Sequence, residues 1–210
     1  MMYLFRDRRE AGRALLRLLE GFRGEGVVVL AIPRGGLLVG AEIAKGLKVP
    51  LDIVVTKKIG APMEPELALG AVGAGKEVVI DAGLVRQLGV PWSYIKGEID
   101  RLEKVVEARY RAYRGDSNLL DLEGRTVILA DDGMATGSTM LVAAKLVQKQ
   151  KPRRLVVAVP VASREAVDRL KEVAEVICPH VPSHFQAVGQ FYAEFPQVSD
   201  EEARACLEGG

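Results

Sequence analysis

Between residues 126 and 139 an apolar segment, Thr126-Val127-Ile128-Leu129-Ala130, runs into two adjacent carboxylates, Asp131 and Asp132. A small, Gly-containing turn follows, Gly133-Met134-Ala135-Thr136-Gly137-Ser138-Thr139, and opens a helix. A buried strand that ends in charge and continues into a helix fits the carboxyl edge of an open α/β sheet, the edge where such sheets bind ligands. Ala135 to Thr139 offers successive backbone N–H groups and hydroxyls with little bulk at the positive end of a helix dipole, a seat for a phosphate monoester. Asp131 and Asp132 can accept hydrogen bonds from vicinal hydroxyls and favour a nearby Mg²⁺. One motif therefore suits both ends of a ribose 5-phosphate. A polar turn with an Asp helix cap is the plainer alternative, and it explains fewer of these parts.

The rest of the chain alternates in the same way. Ala11, Leu15, Leu18 and Leu19 mark an N-terminal helix ended near Gly21, and Val27 to Ile32 is a continuous apolar strand. Helical spacing from Gly36 to Leu47 and a strand from Leu51 to Val55 complete a β-α-β unit. Residues 56–80, rich in Gly and Pro, read as a long excursion containing a short hairpin, with Glu77 to Ile80 as one arm and the character of a mobile lid. Asp52 opens a strand and reads as structural, while Glu66 is placed as a loop-to-site contact. Val90 to Tyr113 is a long scaffold helix with solvated Glu98/Arg101 and Glu103/Glu107 faces. Strand 126–130, helix 137–150, strand 154–159, helix 164–173 and strand 175–178 then predict parallel strands with helical crossovers. Phe185, Phe191, Tyr192 and Phe195 form either a miniature core or a base-stacking hood, before a short acidic helix from Asp200.

The expectation is one domain over residues 1–210, with a core of about 22–180, a flexible arm of about 57–80 and a C-terminal hood of about 181–210. A chain of 210 residues with net charge +1 has room for a proper core and carries no broad basic field, so neither nucleic acid nor a membrane is expected as a partner. No apolar run approaches membrane-spanning length, which points to a cytoplasmic protein. Cys178 and Cys206 are too few and scattered for a disulfide framework. Pro179 and Pro182 forbid the helix that would align His180 and His184 on a metal, so no direct protein metal site is expected. A single asparagine, Asn118, and an excess of Arg over Lys fit a thermophilic source.

Two further segments bear on phosphate chemistry. Arg34-Gly35-Gly36 follows the first strand, where glycines admit a ligand close to the backbone and Arg34 supplies a planar fork for phosphate oxygens. Lys57 and Lys58 follow the second strand at the same sheet edge, so that their charges and that of Arg34 are expected to converge on one diphosphate. Gly70-Ala71-Val72-Gly73-Ala74-Gly75-Lys76-Glu77 nearly meets the spacing of a nucleoside-triphosphate loop. Glu77 stands at its hydroxyl position, however, and Val78-Val79-Ile80 continues as a strand where that loop needs a helix.

The run from the apolar strand through Asp131-Asp132 to Ala135-Thr136-Gly137-Ser138-Thr139 resembles the phosphoribosyl-diphosphate motif of type I phosphoribosyltransferases. Ala31-Ile32-Pro33-Arg34-Gly35-Gly36, Lys57-Lys58-Ile59-Gly60-Ala61-Pro62 and Pro65-Glu66-Leu67-Ala68-Leu69-Gly70-Ala71-Val72 extend the similarity to a bacterial group of unassigned substrate. The resemblance implies an α/β fold with a mostly parallel sheet flanked by helices, a flexible loop or hairpin and a small hood. It implies transfer of 5-phosphoribosyl from its 1-diphosphate to a nitrogenous base or amine with Mg²⁺-assisted release of pyrophosphate. Catalytic roles fall on Arg34, Lys57, Lys58, Asp131 and Asp132. Phosphoribosyl and phosphate contacts fall on Gly35, Gly36, Gly133, Met134, Ala135, Thr136, Gly137, Ser138 and Thr139, with Mg²⁺ reached through the ligand. Ala135 stands where 6-oxopurine enzymes of the family place an aspartate, which argues against hypoxanthine or guanine. A homodimer fits the family, and a non-catalytic phosphoribosyl-diphosphate-binding regulator is the alternative function.

Overall fold

The computed structural model describes residues 3–24, 26–115 and 119–208. Five parallel strands, β1 (Val27–Ala31), β2 (Leu51–Ile53), β6 (Thr126–Ala130), β7 (Arg154–Ala158) and β8 (Glu175–Ile177), form a sheet in the order β2-β1-β6-β7-β8. Parallel strands covered on both faces require apolar side chains at nearly every position, and β1 and β6 are buried throughout. Their period of two sorts the side chains into two cores. Val27, Val29, Ala31, Ile128 and Ala130 face one side; Val28, Leu30, Val127 and Leu129 face the other.

The first core is closed by α1 (Arg8–Leu19), α2 (Gly35–Leu47), α4 (Trp92–Arg114) and α7 (Asp200–Glu208). The second is closed by α5 (Ser138–Lys149) and α6 (Arg164–Lys171). Asp7 caps α1 by accepting from Glu10 N at 2.8 Å. Gly12 lets α1 lie tight on α2, since a Cβ there would come within 2.8 Å of the Val39 carbonyl and the Glu42 Cβ. Asp52 is structural, as its strand position implied: it is almost fully buried, 3.1 Å from Arg114 Nε and within 3.3 Å of the Tyr110 hydroxyl, which donates to it. This clamp ties α4 to β2, and burial with the nearby Asp52 charge pushes the Tyr110 phenol up to about 12.

The excursion after β2 is more ordered than a hairpin in a loop. It forms an antiparallel sheet of three strands, β3 (Thr56–Gly60), β4 (Ala68–Gly73) and β5 (Glu77–Ile80), with a register shift at Ile59/Gly60. Buried Ile59, Leu69 and Val72 join the first core beside α4. The expected hairpin is β4–β5, and β3 is the strand added to it; the other arm, β4, Ala68-Leu69-Gly70-Ala71-Val72-Gly73, is not delimited in the sequence because its small residues look like a linker in one dimension. A Cβ at Gly70 would collide with the Val79 carbonyl, so smallness there serves close strand packing. A short helix, α3 (Ala82–Gln87), precedes α4.

The hood draws on both ends of the chain. Phe5 bridges in parallel to Tyr192, Leu4 and Phe5 donate backbone N–H groups to the Phe191 carbonyl, and Phe5, Ala11, Val161, Phe191 and Tyr192 make a third small core. The acidic segment from Asp200 is α7, which packs against α2 and α4.

Candidate functional site

The strand order reverses between β1 and β6. After β1 the chain turns into α2 on one face of the sheet, and after β6 it turns into α5 on the other, leaving a crevice at the carboxyl edge between them. Residues 32–36 and 131–139 line this crevice from its two sides. They interlock: a Cβ on Gly35 would collide with Asp132 Oδ2, and one on Gly36 would lie 2.9 Å from Asp131 Oδ1. Both glycines therefore make room for the aspartate pair.

Asp131 Oδ1 accepts from the Asp132 backbone N–H at 2.8 Å. Asp132 Oδ2 accepts from Arg8 Nε at 2.6 Å, with the two side chains only 15% and 8% exposed. Arg8 also donates through Nη1 to the Pro196 carbonyl at 2.8 Å, and its guanidinium lies 3.7 Å from the Phe195 ring centroid. The Tyr192 hydroxyl donates to the Asp132 carbonyl at 2.6 Å. Burial, with the Asp132 charge added, pushes the Asp131 carboxyl well above the usual carboxylate range. Burial also raises Asp132, and the Arg8 hydrogen bond opposes the shift. One guanidinium thus serves two part-buried carboxyls, and the pair is short of positive charge.

The turn after the pair has an open part and a closed part. Met134 belongs to the closed part, against the expectation that it contacts phosphoribosyl. Its side chain is 3% exposed in the second core, its N–H donates to the Val161 carbonyl, and its carbonyl accepts from Ser163 N–H. Ala135, Thr136, Ser138 and Thr139 are exposed. Gly137 sits at φ 71° immediately before α5, a left-handed conformation that glycine adopts without a Cβ penalty. Thr136 Oγ1 accepts from Ser138 N–H and donates to Ser138 Oγ, ordering the hydroxyls at the helix start. Ser163 donates to the Ala135 carbonyl and Arg169 to the Thr136 carbonyl, pinning the turn from α6.

Of the three cations expected to converge on one diphosphate, Arg34 and Lys58 are paired with different carboxylates. Lys57 and Lys58 are consecutive in β3, and consecutive strand residues point to opposite faces, so they cannot act side by side. Lys58 Nζ pairs at 2.7 Å with Glu66, an exposed residue of the loop between β3 and β4. Arg34 Nη1 lies 3.7 Å from Asp200 Oδ1 at the start of α7. Adjacency in sequence misled here because the segment is a strand.

Arg8, Tyr192 and Phe195 are the residues that sequence reasoning missed. The one local signal was Arg8 itself, a cation in the first turn of a helix, where the dipole disfavours it. The aromatic segment is mainly a miniature core, with Phe191 and Tyr192 buried; Phe195, half-buried, is the ring that reaches the aspartate pair's arginine. Among the described residues no three His, Cys, Asp or Glu side chains are grouped to hold a metal, and no helix is long and apolar enough to cross a membrane.

A five-stranded parallel sheet with a carboxylate pair and a hydroxyl-bearing helix-start turn at its switch point defines an α/β protein with a polar crevice at the carboxyl edge of its sheet. Known proteins narrow the class. Residues 7–195 match the family model of the phosphoribosyl transferase domain, and the chain belongs to that family. It is 39% identical over 210 residues to the protein named "Putative phosphoribosyl transferase Rv0571c" of Mycobacterium tuberculosis, covering 99% of this chain and 47% of that one, so it spans about half the relative's length. The crystal structure of TT1426 from Thermus thermophilus superposes with TM-score 0.90 at 46% identity, covering 99% of this chain and 98% of that one. AQ2163 from Aquifex aeolicus, at 17% identity, TM-score 0.50 and coverage of 83% and 74%, shares the fold.

Proposed function

We propose that the chain binds 5-phosphoribosyl 1-diphosphate with Mg²⁺ in the β1–β6 crevice and transfers phosphoribosyl to a nitrogenous base or amine, releasing pyrophosphate. The observation that carries this reading is the Asp131–Asp132 pair. Two part-buried carboxyls stand at the switch point with a single guanidinium, hydrogen-bonded to Asp132, to offset them, at a cost that makes sense when a hydroxyl-bearing, cation-associated ligand completes the site.

In this reading the exposed Thr136, Ser138 and Thr139 hydroxyls and the first N–H groups of α5 bind the 5-phosphate. Arg8 occupies Asp132 Oδ2, which leaves Oδ1 and the Asp131 carboxylate to accept from the ribose hydroxyls. The residues present fit a Mg²⁺ that arrives with the diphosphate, since the pair lacks a full complement of positive charge; the ion would neutralise charge developing on the leaving group. Loss of pyrophosphate leaves oxocarbenium character on the ribose, so positioning and electrostatics are the protein's contribution. In this reading the backbone of residues 34–36, which packs directly against the aspartate pair, meets the diphosphate. The Arg34 side chain and Lys58 are engaged elsewhere and are not assigned that role. Ala135 brings no carboxylate to the base, so an adenine-type or other nitrogenous acceptor fits better than a 6-oxopurine.

Calorimetric titration with phosphoribosyl diphosphate and Mg²⁺ tests the reading, followed by a pyrophosphate-release screen over nitrogenous bases. Saturable binding that is lost in the folded Asp131→Asn/Asp132→Asn variant, with release on one acceptor, is expected. Binding without release on any acceptor would make the chain a regulator, and unchanged affinity in the double variant would remove the pair from the site.

A further inference from the structure

We infer that the chain carries a second anion site, for a ligand bearing a di- or triphosphate group, in the cleft between α4 and α7. The cleft has a volume of about 280 Å³ and is lined by Arg34, Arg109, Ala112, Tyr113, Asp200 and Arg204. Small-ligand sites begin at roughly 300 Å³, so this one suits a phosphate chain better than a whole dinucleotide. Among the described residues lining it, three guanidinium groups face one carboxylate, on a protein whose net charge is only +1. That carboxylate is already engaged, because Asp200 Oδ1 accepts from the Tyr113 hydroxyl at 2.9 Å and lies 3.7 Å from Arg34 Nη1. Arg204 donates through Nε to the Asp200 backbone carbonyl rather than to the carboxylate. Arg109 and Arg204 come from two different helices and are both exposed; Arg109 lies beside the Tyr113 hydroxyl and Arg204 near Glu201, and each guanidinium keeps a part of its fork open to solvent. Planar guanidinium groups converging from separate elements match a chain of phosphate oxygens, which accept bidentate pairs. Glu201 and Glu202 are exposed on α7 but do not line the cleft.

Arg34 links the cleft to the crevice. It stands at the start of α2 beside Gly35 and Gly36, which lie under the aspartate pair. A phosphate chain that competes with Asp200 for Arg34 acts directly on the loop facing the crevice. The second site rests on the geometry of the cleft and does not require the transferase reading.

The test is a calorimetric titration with inorganic triphosphate in chelator and about 150 mM salt, where exposed long-range charge is screened. The wild type, Arg109→Gln, Arg204→Gln, the double arginine variant and Asp131→Asn/Asp132→Asn are compared, each checked by circular dichroism. Saturable binding is expected in the wild type and in the aspartate variant. Each single arginine variant should weaken it roughly tenfold, and the double variant should abolish it. Both arginines are exposed, so folding should survive, and Arg109→Lys/Arg204→Lys, which keeps charge but loses the fork, should recover only part of the affinity. Absence of binding to the wild type, equal binding in the double arginine variant, or loss in the aspartate variant alone would overturn the inference.

Discussion

At the residue scale the decisive fact is that Asp131 is buried at a price in stability. Burial raises its folded-state pKa above the unfolded value, so the ionised form opposes folding. Below the ordinary carboxylate pKa both states are protonated and no penalty exists; as pH rises toward the folded-state pKa the penalty grows, and above it the penalty is complete. Asp131→Asn keeps the Oδ1 acceptor for Asp132 N–H and removes the charge. It is expected to stabilise the ligand-free protein by about 1–3 kcal/mol at pH 7.5, with the gain shrinking toward pH 4.5 in thermal denaturation while ligand affinity falls. A variant no more stable than wild type at pH 7.5 would mean that Asp131 is better compensated than its surroundings indicate. The pair itself was legible in the sequence because it is local: strand, Asp-Asp and turn are contiguous. Its arginine was not, since Arg8 reaches Asp132 across 124 residues and sits in the charged run Arg6-Asp7-Arg8-Arg9-Glu10, which reads as a solvated helix start.

Elements whose burial is two-sided were the easiest to read. β6 runs from Thr126 to Ala130 as its apolar pattern predicts, and α2, α4 and α5 begin within two residues of their expected starts. The small sheet was harder, because Gly and Ala in β4 carry no alternation signal and because a basic pair in a strand divides between two faces. The helix start at residue 138 also carries a prediction of its own. Gly137→Ala places a Cβ on a residue at φ 71° and within 3.0 Å of the Ala166 Cβ. That conformation costs an L-residue about 1–2 kcal/mol, so chemical denaturation should show a loss of at least that size. Titration should show a larger proportional loss of phosphoribosyl-diphosphate affinity, because the turn that presents Thr136 and Ser138 must shift. Lost stability with unchanged affinity would place the 5-phosphate away from this turn.

For the whole molecule, the hood is a joint between residues 4–8 and residues 180–196, built on Phe5, Phe191 and Tyr192 with Arg8 beneath. Phe5→Ala removes a buried ring that packs on His180 and Tyr192, and should cost about 3–5 kcal/mol. The loss is expected to concentrate in one region: hydrogen exchange should accelerate at residues 185–196 more than in β1 or β6. Uniform acceleration across the sheet would show that the hood and the sheet open as one unit. Neither the joint nor the α4–α7 cleft was legible in sequence, since both depend on which distant segments meet after the sheet has formed.

The contact of Arg8 with the Pro196 carbonyl spans 188 residues of a chain of 210. On the ribosome, the first helix emerges long before its partner carbonyl exists, and contacts of such separation close late. A chain interrupted before Tyr192 would own every residue of the aspartate motif and still lack the clasp that orients Asp132. Synthesis through Pro196 is therefore what closes the clasp: a chain interrupted earlier would expose an unclasped, charge-strained crevice, the kind of locally unstable surface on which chaperones and proteases act.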